Sequence, residues 1–240
     1  VIVIGNYVNS NKLKGAVSNG CTVNFKTSDN KLVVTSTCDS NTSAYKLNIL
    51  NSNNTFIAKA YYKQNDYGVS KTKTIKLSKG TYTVNFYSIN KNKKSNTIRK
   101  TVTINGQMYS NELGLKADEI CTLDAPTFEN NNISSKVTCG KNAQAWETHL
   151  INKTTKKDKT LQDYKGISTD EQVRYGYSGV IQSKVDSLTD KYALRLFYKP
   201  RQNNSGISVA VVTSKAKKAN YTPEYCDFST SVKHNFLTVN

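Results

Sequence analysis

The chain has 240 residues, enough for two domains of ordinary size, and no apolar run long enough to cross a membrane as a helix. Tyr, Thr, Ser, Asn and Val are abundant, which favours strands and polar turns over helices. With only 3 prolines and 12 glycines, the composition excludes collagen-like and Pro/Gly-rich disordered chains.

The net charge of +17 is concentrated in the first part of the chain. Up to Asn105 there are 16 basic residues against 3 acidic ones, whereas from Gly106 onward there are 18 against 14. Such a concentrated positive field predicts a polyanionic partner, for example an anionic wall polymer or an acidic glycan. The sequence leaves open the alternative that the lysines only keep a surface protein soluble.

The chain begins with what reads as a buried strand. Val1, Ile2, Val3 and Ile4 are β-branched and apolar, and a Gly-Asn turn signal follows them. In a self-alignment this segment falls on the "TVTING" stretch that starts at Thr101. We therefore expect either the last strand of a preceding repeat or a strand that is exchanged with another copy of the protein.

The sequence also contains an internal duplication. "CTVNFKTSDNKLVVTSTC" from Cys21 to Cys38 matches "CTLDAPTFENNNISSKVTC" from Cys121 to Cys139. Seven residues after each pair comes an aromatic residue, Tyr45 or Trp146, and "LSKGTYTVNFY" later matches "LTDKYALRLFY". A further match lies between "TIRKTVTIN" and "GISVAVVTS". Four matched blocks in one order predict two homologous units.

The duplication predicts the following division of the chain. Residues 1–20 would be the last strand of a preceding repeat with its linker. The two repeats would be 21–106 and 121–214, followed by the linkers 107–120 and 215–225. Residues 226–240 would be the first strands of a third repeat. A window cut from a longer array and a subunit with exchangeable end strands both fit this division.

Each repeat contains about seven short runs in which apolar and polar residues alternate, separated by Asn, Asp, Gly and Ser. This number of strands in about 90 residues predicts an immunoglobulin-like β-sandwich. Tyr82 and Tyr192 occupy the tyrosine-corner position of such a fold, and Tyr45 and Trp146 occupy its buried strand-C position. The stretch from Ser168 to Leu188 is ambiguous between a short helix and a longer hairpin.

The blocks "AYKLNILNSN", "LQDYKGI" and "KGTYTVNFYSI" resemble the triple-tyrosine-motif repeats of clostridial extracellular proteins. The resemblance extends over both repeats, although Trp146-Glu147 replaces Tyr45-Lys46 and Asp190-Lys191 replaces Gly80-Thr81. It implies an extracellular, non-catalytic sandwich module that occurs in tandem and is often attached to wall-active or surface proteins.

The five cysteines predict disulfides rather than a metal site. If the first two strands of each repeat are antiparallel neighbours, Cys21 faces Cys38 and Cys121 faces Cys139. A zinc site would need four closely spaced ligands, and the chain has only 2 histidines. Two disulfides predict an oxidising, extracellular compartment, which argues against a nucleic-acid partner. Cys226 would be unpaired or would bond outside this chain.

The sequence shows almost no catalytic signal. His149 lies in an alternating strand and is interpreted as a hydrogen-bonded strand residue. "GYSG" at Gly176 lacks the second glycine of a nucleophile elbow, and Asp170 and Glu171 are adjacent, so in a strand they would face opposite ways. No phosphate-binding glycine loop or calcium-loop spacing is present, and we expect no cofactor.

Lysines near tyrosines are the remaining candidates for binding an anionic polymer or glycan. They comprise Lys71, Lys73, Lys91, Lys93 and Lys94. The alternative is that these lysines only protect an edge strand.

The leading hypothesis is a non-catalytic extracellular tandem-repeat protein of a bacterial cell or spore surface, a stalk or filament component that assembles head to tail through strand exchange. The alternative is a basic wall- or glycan-binding module of a larger secreted protein such as a peptidoglycan hydrolase. A third hypothesis, catalysis, would need a site hidden between Thr169 and Leu188.

Overall fold

The computed structural model describes residues 8–9, 21–40, 42–61, 70–90, 95–129, 131–166, 176–201, 204–219, 230–233 and 236–239. Almost all regular structure in these ranges is β-strand, and one short 3-10 helix, Ala117–Glu119, lies between them. The all-β prediction is confirmed. Within the same ranges no helix has the length and apolar character needed to cross a lipid bilayer.

The first half of the molecule is a sandwich of two sheets, and its strands form because buried and solvent-facing residues alternate along them. In β3, for example, Leu32, Val34, Ser36 and Cys38 are buried and the residues between them are not. The sheets have the orders β1-β2-β3-β6 and β5-β4-β7-β8, the immunoglobulin-like arrangement. The strands are β1 (Val8–Asn9), β2 (Cys21–Ser28), β3 (Lys31–Cys38), β4 (Thr42–Leu50), β5 (Phe56–Tyr61), β6 (Lys71–Lys76), β7 (Gly80–Asn90) and β8 (Ser95–Ile104).

The second half has the same pairing pattern. One sheet has the order β10-β11-β14, with β9 also paired to β11, and the other contains β13-β12-β15-β16, with β17 beside β15. The strands are β9 (Cys121–Leu123), β10 (Thr127–Glu129), β11 (Asn132–Cys139), β12 (Ala143–Asn152), β13 (Asp158–Gly166), β14 (Tyr177–Lys184), β15 (Lys191–Pro200), β16 (Val209–Thr213) and β17 (Lys217–Lys218). The ambiguous stretch thus contains strand β14, and residues 167–175 lie outside the described ranges.

The two ends of the chain are described only in part. Near the C-terminus β18 (Thr230–Lys233) and β19 (Phe236–Val239) form an antiparallel hairpin. Near the N-terminus Val8 pairs with Phe25 of the same chain, so the partner of this one position is intramolecular. The predicted exchange strand Val1–Ile4, and Cys226 and His234, lie outside the described residues.

Both predicted disulfides are present and bridge neighbouring antiparallel strands. Cys21 is directly opposite Cys38, and Cys121 is directly opposite Cys139, with Cα atoms 4.0 Å apart in each pair. The first pair lies at the open end of the β2–β3 hairpin, whose turn contains Asp29 at a φ of 44°. Closing a loop of this length stabilises the fold by about 3 kcal/mol.

The four aromatic residues predicted for the core are buried: Tyr45, Tyr82, Trp146 and Tyr192. The Tyr82 hydroxyl donates a hydrogen bond to the Ser78 carbonyl at 2.9 Å and thereby fixes the start of β7 to the preceding turn. The Tyr192 hydroxyl accepts a hydrogen bond from the backbone N–H of Ser187 at 3.0 Å. The two corners therefore use the phenol oxygen in opposite roles.

We expect Tyr82 to make the protein less stable as the pH rises from about 10 to about 12. Burial, and then the nearby Glu112 carboxylate, raise the pKa of Tyr82 from 10.0 to about 12. In this interval the unfolded chain has lost the phenol proton and the folded protein retains it, so the stabilisation is full below pH 10 and is lost as the pH passes 12. Urea unfolding at a series of pH values should show that the free energy of unfolding falls less between pH 10 and pH 12 in Tyr82→Phe than in the wild type. Lysines titrate in the same range but are common to both proteins, and equal slopes would contradict the assignment.

The two halves share one sheet, which the sequence did not predict. β16 of the second half pairs with β5 of the first, with Val209 opposite Lys59 and Ala210 opposite Ala58. The result is a single nine-stranded sheet that continues from one half into the other. Ala58, Ala60 and Ala210 are fully buried at this edge.

A loop of the second half also contacts the other sheet of the first half. The backbone N–H of Lys76, in the edge strand β6, donates to the Ser205 carbonyl at 2.7 Å, and the N–H of Ser208 donates to the Lys59 carbonyl at 3.0 Å. Gly206 has a φ of 75°, and a Cβ atom there would lie 2.0 Å from the Thr74 carbonyl oxygen. We call the β5–β16 pair together with the loop 205–208 the joint.

The segment 107–120, which the sequence assigns to a linker, is packed between the halves. Leu113 and Leu115 are buried and belong to a hydrophobic cluster with members from both halves, including Phe86 and Trp146. The Asn111 side chain accepts from the backbone N–H groups of Leu113 and Leu115, which holds the turn closed. One hydrophobic cluster therefore extends from the first half into the second.

Candidate functional surface

The outer face of the nine-stranded sheet contains a cluster of charged and aromatic side chains at the joint. We call it the outer cluster; its residues are Phe56, Lys59, Glu147, His149, Asp158, Arg195, Phe197, Val209 and Val211. They come from β12, β13, β15 and β16, in which alternate residues point to this face, and from β5. In β5 a register shift beside Phe56 accompanies its position on the same face as Lys59, three residues later. The cluster thus brings together strands of both halves.

The apolar centre of the outer cluster crosses the joint. Phe197 of the second half contacts Phe56 of the first edge to face, with ring centroids 6.0 Å apart, and Phe197, Val209 and Val211 are buried. The Lys59 ammonium lies 4.2 Å from the Phe197 ring centroid, within the range of a cation–π contact. Such contacts are stronger when they are desolvated, and here the ring is buried and the lysine is half-buried.

Burial changes the titration of the cations around this centre. Burial, and then the Lys46 charge, lower the pKa of Lys59, whereas the Glu147 carboxylate of the other half opposes that change. Burial likewise lowers the pKa of Arg195, and Asp158 opposes it. Of the two cations, Arg195 forms an ion pair with Asp158, and Lys59 is influenced by the Glu147 charge.

His149 lies between two carboxylates. Its Nδ1 is 2.5 Å from Asp158 Oδ1, and its Nε2 is 2.6 Å from Glu147 Oε1. Arg195 donates to the other oxygen of Asp158 at 3.1 Å and completes the network.

This network connects side chains of β12, β13 and β15. No serine, threonine or cysteine side chain in the described ranges forms a hydrogen bond with His149. The interpretation of His149 as a hydrogen-bonded strand residue agrees with these contacts. In the same ranges no group of three or more His, Cys, Asp and Glu side chains could hold a metal ion.

Two of the five lysines predicted to bind a polyanion can be placed. Lys73 is directly opposite buried Val34, and Lys71 is directly opposite buried Ser36, so both lie on the core-facing side of the edge strand β6. Inward-pointing charges on an edge strand discourage edge-to-edge aggregation, which is the alternative considered from the sequence. Lys91, Lys93 and Lys94 lie outside the described residues.

Sequence reasoning missed the outer cluster, although part of its signal was present. Glu147 and His149 are two residues apart in a predicted strand and therefore on one face. The other cations of the cluster, Arg195 and Lys59, are distant from them in the sequence, so no local pattern indicates that these residues meet.

No protein-family model matches the sequence, and no curated protein sequence matches it. The resemblance to triple-tyrosine-motif repeats therefore stays a prediction. Among solved structures, the chain is similar to a chicken interferon gamma receptor alpha chain, with 10% identity, a TM-score of 0.29, and coverage of 84% of this chain and 97% of that one.

Another similar structure is a two fibronectin type-III domain segment from chicken tenascin, with 9% identity, a TM-score of 0.24, and coverage of 87% and 98%. A third is a beta-1,2-glucanase from Parabacteroides distasonis, with 10% identity, a TM-score of 0.23, and coverage of 88% and 36%.

Proposed function

We propose that this chain is a non-catalytic structural element of a bacterial cell or spore surface, a stalk or filament component built from tandem β-sandwich units. The observation that carries the proposal is the joint, because it joins the two halves through paired strands and a shared core. A flexible tether would let the halves turn independently, whereas a continuous sheet transmits bending from one half to the next. Such stiffness suits a part that holds another group away from a surface.

The two disulfides support the extracellular location, since such bonds persist in oxidising compartments. Head-to-tail contacts between copies would propagate as a filament unless the rotation between copies closes a ring. In our proposal the apolar strand Val1–Ile4 completes a sheet of the neighbouring copy, where main-chain hydrogen bonds and pockets for alternate side chains would hold it.

Deleting Val1–Val8 tests the filament form of this proposal. We expect the full chain to form larger particles as its concentration rises, and the deletion variant to remain monomeric. Light scattering over a concentration series, with electron microscopy of the same samples, measures the difference. The matched control keeps the full length of the chain. It replaces Val1 and Val3 by threonine, which keeps β-branching and removes apolar surface. Assembly that is unchanged by the deletion would reject strand exchange and leave the stalk form.

A second candidate function is binding of an anionic wall polymer or glycan by the basic first half. It is favoured by the position of three lysines on the solvent-facing side of the β1-β2-β3-β6 sheet. Lys31 is directly opposite Lys76, and Lys26 lies on the same face of β2 as Ser28, the partner of Lys31. In this arrangement the molecule would be the wall-binding module of a larger secreted protein.

A further inference from the structure

A pocket of about 500 Å³ opens beside the joint, at the end of the β1-β2-β3-β6 sheet. Its walls come from the β2–β3 turn, from β6, from the loop that follows β8, and from Asn204 in the β15–β16 loop. Residues of both halves therefore line it. Ligand sites occur preferentially where structural units meet, and this volume lies within the usual range for a small ligand.

The walls of the pocket are held in place before any ligand arrives. The Asn30 side chain donates to the Gln107 carbonyl at 2.7 Å and to the Leu77 carbonyl at 2.9 Å, and it accepts from the Gln107 N–H at 2.8 Å. Gly106 lies so close that a Cβ atom there would be 2.3 Å from Asn30 Oδ1. Two of these hydrogen bonds fasten the β2–β3 turn to the loop that follows β8, and the third fastens it to Leu77, directly after β6.

Two lysines line this pocket from adjacent strands. Lys31 and Lys76 are directly opposite each other, an arrangement that is destabilising for like charges. In the described part of the chain neither ammonium has a carboxylate within ion-pair distance. The Lys76 ammonium lies 4.5 Å from the Tyr109 ring centroid, which positions it at the wall. Residues that break a local stability rule are expected at functional sites.

The other polar groups of the pocket suit hydroxyl groups. Gln107 and Asn204 carry amides that donate and accept, Thr74 carries a hydroxyl, and the Asp29 carboxylate accepts. A ligand with one anionic group and several hydroxyls would match a lysine pair surrounded by such groups.

We propose that this pocket binds an anionic saccharide, with Lys31 and Lys76 on its carboxylate or phosphate and the amides on its hydroxyls. The inference rests on the second candidate function and names the site of binding. Carboxylated and phosphorylated polymers present the same chemistry to two lysines, so the experiment includes one of each.

Calorimetric titration of the full chain would use three probes: trigalacturonate, a glycerol-phosphate oligomer, and neutral maltotriose. We expect at least one anionic probe to bind, with an affinity that falls as salt rises. We expect the double variant Lys31→Gln/Lys76→Gln to weaken that binding by about tenfold or more, since hydrogen bonds to charged groups are among the stronger ones.

The chain offers a matched control for the loss of two charges. Lys191 and Lys218 are also directly opposite each other, on β15 and β17, and they do not line this pocket. Lys191→Gln/Lys218→Gln should bind as the wild type does. Equal losses of affinity in the two double variants would overturn the assignment of binding to this pocket, and polyanion binding as such would stand. If neither anionic probe binds the wild type, the binding pocket and the second candidate function are both rejected. If maltotriose binds as tightly as an anionic probe, the role of the anionic group is rejected.

Discussion

Gly206→Ala is expected to detach the second half from the first. The new Cβ would lie 2.0 Å from the Thr74 carbonyl oxygen, and backbone on both sides of that contact would have to move. The φ of 75° adds a penalty of about 1–2 kcal/mol for a residue with a side chain. The loop would then leave β6, breaking the hydrogen bond from Lys76 to Ser205 and shortening the β5–β16 pairing. We expect calorimetry to show one unfolding transition for the wild type, because the halves share a sheet and a hydrophobic cluster, and two transitions for the variant.

Gly114→Ala is the matched control, because it has the same backbone penalty at a position outside the joint. Gly114 has a φ of 58°, and its Cβ would meet the Tyr109 side chain at 3.1 Å rather than backbone. We expect a loss of about 1–2 kcal/mol with unfolding still in one transition. Two transitions in the control, or one in Gly206→Ala, would show that this glycine does not hold the joint.

Trp146→Ala should cost about 3–5 kcal/mol in the free energy of unfolding, the range for removing a large aromatic side chain from a core. Trp146 is 3% exposed and stacks on Tyr177, with ring centroids 4.3 Å apart. Since these residues lie on β12 and β14, the contact joins the two sheets of the second half. Urea unfolding followed by circular dichroism measures the loss, because the variant has no tryptophan to report by fluorescence.

Val180→Ala is the matched control for this prediction. Val180 is on β14 with Tyr177, and its side chain is 65% exposed. We expect a change within about 0.5 kcal/mol, as for most surface substitutions. A loss in Trp146→Ala no larger than that would mean that the aromatic stack does not support the second half.

The features that the sequence predicted correctly are local ones. Cys21 and Cys38 are separated by 17 positions, and a single hairpin with alternating burial is enough to place them opposite each other. Tyr82 likewise contacts Ser78, four residues earlier, so a corner motif can be recognised within one short block. Such contacts can be recognised because both partners lie within one hairpin or one turn, where strand pairing and sequence spacing alone bring them together.

The joint could not be predicted in the same way. β5 and β16 pair through only two directly opposed residue pairs, and their strongest signal is small alanines such as Ala58 and Ala210. The same limit applies to the outer cluster, in which Lys59 contacts Phe197 only because the joint brings their strands side by side. Contacts between distant strands depend on the register of whole sheets, which no short pattern encodes. The pocket beside the joint depends on the same register, since Asn204 reaches it from the second half.

The β5–β16 pairing also has a consequence for the order of events during protein synthesis. β5 leaves the ribosome about 150 residues before β16, which at ordinary rates of elongation is roughly 8–30 s. Throughout this time the first half has an open sheet edge with unpaired backbone groups, the kind of edge that recruits other chains. Lys59 sits in the middle of that edge, and a charge there disfavours pairing with a second nascent copy. The residue that later covers the Phe197 ring therefore also protects the unfinished chain while its partner strand is still being made.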